Sequence, residues 1–334
     1  MEETPQNPAL SIVMPLYNSE KSVAQALDAI FENTFKNFEV IIVNDGSTDR
    51  SAEIIKNYPV KIFYQKNSGP AKARNFGVEK ATADIIVFVD SDVIIPSFTF
   101  QKIHDAFTDN KNLEMLAGMP DSLNHYKNRF SDYENLYIHY QFQNRTNTTA
   151  AFYTSLVVIK KNLFQRFNGF DERIRIPEDM ELGQRLLADG QVINLDKTIQ
   201  FSHQNHFTLY SYIKKQIKKT SGILKIKLRN IKSGQGNKKC YDASLLFQLG
   251  VPISLLIPLN LALSLTFLSL IPLYIAGGIV IFLILSNIKM LFYMYSKRNF
   301  SFFIFSSLFL IFNYWMYALG LGYGLTTFLA GKKY

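Results

Sequence analysis

Residues 84–92 read Asp84-Ile85-Ile86-Val87-Phe88-Val89-Asp90-Ser91-Asp92, and this stretch decides the fold. Its apolar run, Asp84–Val89 (DIIVFV), shows no alternation of polar and apolar residues, the pattern of a strand covered on both faces. Two similar runs lie upstream, at 9–16 (ALSIVMPL) and 38–43 (FEVIIV), and a shorter one at Val60–Tyr64. Between the first two, Val23, Ala26, Leu27 and Ile30 recur at helical spacing within Ser22–Phe31. Ser51–Asn57 and Ala71–Glu79 read as the next two helices. Buried strands alternating with helices predict a doubly wound α/β domain on a mostly parallel sheet. Ligands of such sheets bind beyond the carboxyl ends of the strands, so the polar residues directly after each strand come first as site candidates.

Those strand ends are acidic. The second strand is followed by Asn44-Asp45-Gly46-Ser47-Thr48-Asp49 and the fourth by Asp90-Ser91-Asp92. Further on, after a Gly169-Phe170-Asp171 turn, Glu178-Asp179 opens the helical run MELGQRLLADG. Asp90 and Asp92 offer hard oxygen donors that can share one Mg²⁺ or Mn²⁺ and leave positions open for phosphate oxygens. A lone D-x-D can equally cap a turn, so its weight here comes from the company it keeps. The first strand is followed by Pro15-Leu16-Tyr17-Asn18 rather than G-x-G-x-x-G, and no G-x-x-x-x-G-K-[ST] occurs. That excludes the usual dinucleotide and P-loop readings.

The set Met14-Pro15-Leu16-Tyr17-Asn18, Val43–Asp49, Gly69–Gly77 (GPAKARNFG), Asp90-Ser91-Asp92 and Glu178-Asp179 occurs in order over residues 9–205. It resembles glycosyltransferase family 2, an inverting family whose nucleotide-sugar domain has the GT-A fold. The resemblance implies that Pro15, Tyr17 and Asn18 border the base and ribose of a nucleotide-sugar donor, with Asp45 bonded to the base. It places Arg74 and Ser91 near the nucleotide and Asp90 between ribose and metal. It makes Asp92 the principal ligand of Mg²⁺ or Mn²⁺ and Asp179 the general base, with Glu178 the alternative. His203 and His206 (FSHQNHFTL) are further metal candidates, since the family often carries a histidine here. Processive synthases of the family carry Q-x-x-R-W before their membrane helices. This chain has Gln216-Ile217-Lys218-Lys219-Thr220, and its only tryptophan is Trp315. The missing Arg-Trp pair favours single-sugar transfer over polymer extension.

No Asp, Glu, Lys, Arg or His occurs from Ala243 to Ile288, and Asn299–Gly331 is uncharged as well. About 20 apolar residues cross a bilayer as a helix, so both runs are spanning material. The first can hold two spans with a break near Leu270-Ile271-Pro272; the second is a third segment, either through the membrane or dipping in and returning at Gly320, Gly322 and Gly324. Ten Lys/Arg and no carboxylate lie between Ile213 and Asp242, whereas residues 1–213 carry a net −5 within a total of +9. The basic excess is therefore a collar beside a membrane and not a nucleic-acid surface. By the positive-inside rule the collar is cytoplasmic, and Met1–Leu10 has no apolar core to direct export. Cys240 is the single cysteine, which rules out an intrachain disulfide.

The expected organisation is a glycosyltransferase domain over 1–205, a basic juxtamembrane segment over 206–242 and a membrane domain over 243–331 with three segments. The expected protein is a multi-pass enzyme of the cytoplasmic membrane with its catalytic domain in the cytoplasm. It would move a sugar from a nucleotide-sugar to a lipid or polyprenyl-phosphate acceptor. A polysaccharide-extending synthase and a non-catalytic sugar-nucleotide-binding membrane protein are the alternatives, and no oligomeric state follows from the sequence.

Overall fold

The computed structural model describes residues 7–123, 128–149, 152–174, 176–204, 206–232 and 245–332. They fall into two compact units, one built from residues up to 123 and from Gln141–His206, the other from Asn128–Tyr140 and the described residues from Phe207 onward. Cys240 and the expected boundary at 242–243 lie outside the described residues.

The first unit opens as the apolar runs predict. Strands β1 (Leu10–Leu16), β2 (Phe38–Asn44), β3 (Lys61–Tyr64) and β4 (Ile85–Val89) are parallel neighbours in the order β3-β2-β1-β4. Helices α1 (Val23–Phe31), α2 (Ser51–Ile54) and α3 (Pro70–Lys80) connect them. α1 buries Val23, Ala26, Leu27 and Ile30, the residues whose spacing marked it as a helix. Apart from Pro15 and Ile85, which are half-buried, the apolar side chains of β1, β2 and β4 are sealed from solvent, as crossover helices on both faces require.

Beyond β4 the sheet departs from the parallel expectation. A short strand β5 (Val93–Ile94) is followed by α4 (Thr99–Asp109), β6 (Met115–Pro120), α5 (Arg129–Gln143), β7 (Leu156–Lys160), α6 (Lys161–Arg166), α7 (Glu178–Ala188) and β8 (Asn194–His203). The full order is β3-β2-β1-β4-β7-β6-β8-β5. β7 runs antiparallel to both β4 and β6, and β8 runs parallel to β6. The sheet is mixed because the chain does not cross back between β6 and β7. It leaves β6 at the carboxyl end of β4 and re-enters at the same end, where Leu156 pairs with Val89. The start of β7 and the ends of β2, β4 and β8 thus converge on one edge of the sheet.

In the second unit, α8 (Leu209–Lys232), α9 (Leu245–Ser254), α10 (Leu256–Phe267), α11 (Ile271–Ser286), α12 (Ile288–Lys297) and α13 (Phe300–Leu329) share an aromatic and aliphatic core with Tyr133 and Leu136 of α5. Phe247–Phe267 and Phe300–Leu329 are long and apolar enough to cross a membrane; α11 and α12, bent by 64° at their junction, would make a third such element if counted together. α13 is one continuous helix, which overturns the idea of a break at its glycines. Gly320 and Gly324 serve close packing instead. A Cβ at Gly320 would stand 2.7 Å from the Thr220 Cβ, and one at Gly324 would stand 3.0 Å from the Ser221 backbone, both on α8.

The amino-terminal ends of β1–β3 are clamped by one carboxylate. Glu39 Oε1 accepts hydrogen bonds from Ser11 Oγ (2.6 Å), Thr82 N (2.7 Å) and Thr82 Oγ1 (2.6 Å), while Oε2 accepts from Lys61 Nζ (2.7 Å). Burial pushes this carboxyl up, but the bonds from Lys61, Ser11 and Thr82 outweigh it and hold the pKa at about 2, below the ordinary 4.5. A depressed carboxyl stabilises the fold fully above its unfolded pKa and loses that contribution as pH falls through the folded one. Glu39→Gln is expected to destabilise the protein by about 3 kcal/mol at pH 7. The gap between variant and parent in chemical denaturation should narrow between pH 4.5 and pH 2; a gap independent of pH would refute the charged clamp.

A candidate active site at the carboxyl edge of the sheet

The backbone ladder places the first three site residues. β4 ends at Val89, Asp90-Ser91-Asp92 follows as a tight turn, and β5 begins at Val93. β5 pairs antiparallel with the end of β8 so that Val93 lies opposite His203, and Gln204 N donates to the Asp92 carbonyl (2.8 Å). Ligand atoms of Asp90, Asp92 and His203 consequently lie within 4.8 Å of one another. His206 is exposed and stands outside this group. Of the two candidate histidines, the ladder brings His203 to the turn.

Ser155, at the start of β7, completes the cluster. Its hydroxyl donates to Asp90 Oδ2 (3.1 Å) and lies 2.8 Å from His203 Nε2. A serine has one proton to give, and an ionised carboxylate can only accept. With that proton committed to Asp90, Ser155 Oγ accepts from Nε2–H, and Nδ1 becomes the lone-pair nitrogen of the ring. The sequence reading missed Ser155, because a serine ahead of LVVIK carries no mark until β7 is known to enter at the site edge.

Arg74 links this cluster to α7. Gly69 starts α3 at φ 99°, a backbone conformation suited to glycine. One turn on, the buried guanidinium of Arg74 donates from Nη2 to Asp90 Oδ1 and from Nη1 to Glu178 Oε1, each at 2.6 Å. Burial works against the arginine's charge, but the two carboxylates more than restore it and raise its pKa. Burial pushes the Glu178 carboxyl up, and Arg74 opposes that shift. Glu178 is therefore an ion-pair partner sealed from solvent, whereas Asp179 beside it is half-buried on the first turn of α7. Three acidic residues, Glu178, Asp179 and Glu181, occupy that turn, where the helix dipole favours negative charge.

The loops after β1 and β2 form the other wall. Asn18, at φ 48°, accepts from Thr48 N through Oδ1 (2.8 Å), and its own N donates to Ser47 Oγ (3.1 Å). Tyr17 beside it is exposed and Pro15 is half-buried at the end of β1. Asp45 lies beneath the loop entering α3: Oδ1 accepts from Gln65 Nε2 and Ser68 N (both 2.7 Å), and Oδ2 from Gly69 N (2.8 Å). Its carboxylate thus shapes the loop that leads to Arg74. The hydroxyl of buried Ser91 meets Ser19 Oγ at 2.7 Å and ties the metal-candidate turn to the β1–α1 loop.

Asp90, Asp92 and His203 form a candidate cation site whose donors fit the expected ions. Two carboxylates suit Mg²⁺ or Mn²⁺, and the imidazole tilts the set toward Mn²⁺, since Mg²⁺ favours an all-oxygen shell.

Residues 11–167 match the family model described as Glycosyl transferase family 2. The chain thus carries a family 2 glycosyltransferase domain, the domain of an enzyme. It is 44% identical over 101 residues to an uncharacterized glycosyltransferase of Haemophilus influenzae, a match covering 28% of this chain and 40% of that protein. It is 28% identical over 216 residues to the uncharacterized glycosyltransferase EpsJ of Bacillus subtilis, covering 59% of this chain and 62% of the relative. The chain therefore spans less than two thirds of the length of either relative. Among solved structures, a mannosyltransferase of Pyrobaculum calidifontis in complex with GDP-Man and Mn²⁺ superposes with a TM-score of 0.57 at 15% identity, over 96% of this chain and 88% of the other. That likeness is one of fold.

Removing Arg74 would leave buried Glu178 and half-buried Asp90 without their counter-charge. Arg74→Met is expected to lose about 3–5 kcal/mol of stability in chemical denaturation. Glu178→Gln, which leaves the Arg74–Asp90 pair intact, should lose clearly less. Equal losses would show that the bridge is not the organising element.

Proposed function

We propose that the protein transfers a sugar from a nucleotide-sugar to a membrane-associated acceptor, with inversion at the anomeric carbon. The observation that carries this reading is the meeting of Asp90, Asp92 and His203 at the carboxyl edge of the sheet, tied through Arg74 to the acidic first turn of α7. Residues 1–205 would supply the catalytic domain, 206–242 a basic juxtamembrane segment and 243–331 the membrane domain.

In this reading Pro15, Tyr17 and Asn18 border the base and ribose, Asp45 bonds the base from beneath the loop it holds, and Arg74 and Ser91 lie near the nucleotide. A divalent cation held by Asp90, Asp92 and His203 would offset the charge that builds on the departing diphosphate. The fold relative with GDP-Man and Mn²⁺ makes Mn²⁺ the first ion to test. The acceptor oxygen attacks the anomeric carbon, the bond to the diphosphate oxygen breaks on the opposite face, and the nucleoside diphosphate leaves. Where the attacking oxygen is a hydroxyl, Asp179 takes its proton. Glu178 is committed to Arg74, which leaves Asp179 as the base. The apolar helices of the same chain favour a lipid or polyprenyl-phosphate acceptor, and the basic collar favours the cytoplasmic face.

Purified protein in detergent is expected to transfer from one UDP-, GDP- or dTDP-sugar to a lipid extract only with Mn²⁺ or Mg²⁺ present. Asp92→Ala should abolish the metal-dependent thermal shift produced by nucleotide. Asp179→Asn should keep that shift and lower turnover onto a hydroxyl acceptor by about 10²–10⁴-fold. Full turnover in excess chelator, or an unimpaired Asp179→Asn enzyme with that acceptor, would overturn the assignment.

A further inference from the structure

α13 is long and apolar enough to cross a membrane, yet its neighbours within the second unit are the wrong ones for a helix crossing hydrocarbon. Just before it, Arg298 Nη2 pairs with Asp132 of α5 (2.7 Å), and Ser301 accepts from Arg129 Nη2 (3.1 Å). Midway, Asn313 Oδ1 accepts from the Tyr212 hydroxyl of α8 (3.0 Å). Further on, Gly320 lies against Thr220 and Gly324 against Ser221. At the far end, Lys225 is lowered by partial burial and by the nearby charge of Lys332. Contacts that advance together along both helices mean that α8 and α13 run side by side in the same direction.

α8 is densely basic. Lys214 and Lys218 are exposed, and Lys225, Lys227, Arg229 and Lys232 crowd its second half. Ammonium and guanidinium groups in such number are not accommodated in hydrocarbon. The second half of α13 cannot cross the bilayer while α8 runs beside it.

We propose that α13 lies along the membrane surface together with α8, so that Lys332 ends on the same side of the membrane as α8, and that only the α9–α11 hairpin enters the hydrocarbon. The exposed stripe of α13 fits this partner. Ile304, Leu308, Leu319, Tyr323 and Leu329 recur along one face, and the rest of the helix is largely covered by its neighbours. An apolar stripe beside a row of cations is the pattern that seats a helix among anionic headgroups with its apolar face on the acyl chains. The hairpin has the opposite character. Phe267, Leu268, Leu270 and Ile271 at its tip are exposed, and no ionisable side chain occurs from Ala243 to Ile288. This arrangement also removes the conflict of a third span, which would carry Lys332 and Lys333 to the far side. It is independent of the catalytic assignment.

The test uses the full chain with Cys240→Ser and single cysteines in its native membrane. Lys218→Cys and Lys332→Cys are expected to react with an impermeant maleimide in the same preparation, either inverted vesicles or intact spheroplasts. Reaction of the two from opposite sides would overturn the proposal. Nitroxides at Leu308→Cys, Leu319→Cys and Leu329→Cys provide a second reading through the ratio of oxygen to nickel-chelate accessibility. A uniform shallow depth is expected at all three; a profile that reaches mid-bilayer and returns would mean a spanning helix.

Discussion

The buried guanidinium of Arg74 is the constraint on which the site depends. It sits between Asp90, at the end of a strand, and Glu178, at the start of a helix 104 residues beyond Arg74 itself, at 2.6 Å from each. A buried and a half-buried carboxylate without a counter-charge would repel, so the positions of β4 and α7 are coupled through one side chain. Everything proposed for catalysis follows from that coupling. Asp92 lies two residues beyond one partner and Asp179 one residue beyond the other, so the candidate ligand and the candidate base are presented from elements tied by the same ion pair.

Topology does the rest. Because β7 enters the sheet antiparallel, its first residues arrive at the edge where the parallel strands end, which brings Ser155 to Asp90. Because β5 pairs with the end of β8, His203 is held opposite the residue that follows Asp92. The cluster is assembled by main-chain ladders, and its side chains need little freedom to meet. The acceptance of Nε2–H by Ser155 then orients the imidazole, the role an outer-shell partner plays at a metal-binding histidine.

How much of this was legible in the sequence varies along the chain. The parallel half of the sheet was readable from ALSIVMPL, FEVIIV and DIIVFV, since strands covered on both faces must be apolar throughout. The acidic strand ends could be found by looking just past those runs. β6, MLAGMP, did not announce itself, being short and carrying a glycine and a proline. With β6 unread, the reversal of β7 and the arrival of Ser155 could not be foreseen. Spacing could not separate His203 from His206 either; that distinction lies in the pairing of β8 with β5. Glu178 and Asp179 can be told apart only once Arg74 is seen to pair with the first. In the second unit, hydropathy found the apolar helices, but Gly320 and Gly324 looked like breaks because a close helix neighbour is invisible in one sequence.

The basic and apolar segments also change meaning once they are seen to pack. α8 read as a collar beside the membrane and α13 as a span, yet the two share a tight seam at Thr220 and Ser221. Catalysis as proposed stands on the cluster at the edge of the sheet, Asp90, Asp92 and His203. Pulsed electron paramagnetic resonance of Mn²⁺ bound to the purified protein, without nucleotide, examines it most directly. One directly coupled imidazole ¹⁴N is expected, retained in His206→Ala and lost in His203→Ala. A Mn²⁺ signal with no nitrogen coupling, or one that survives in His203→Ala, would contradict the carboxylate–carboxylate–imidazole site.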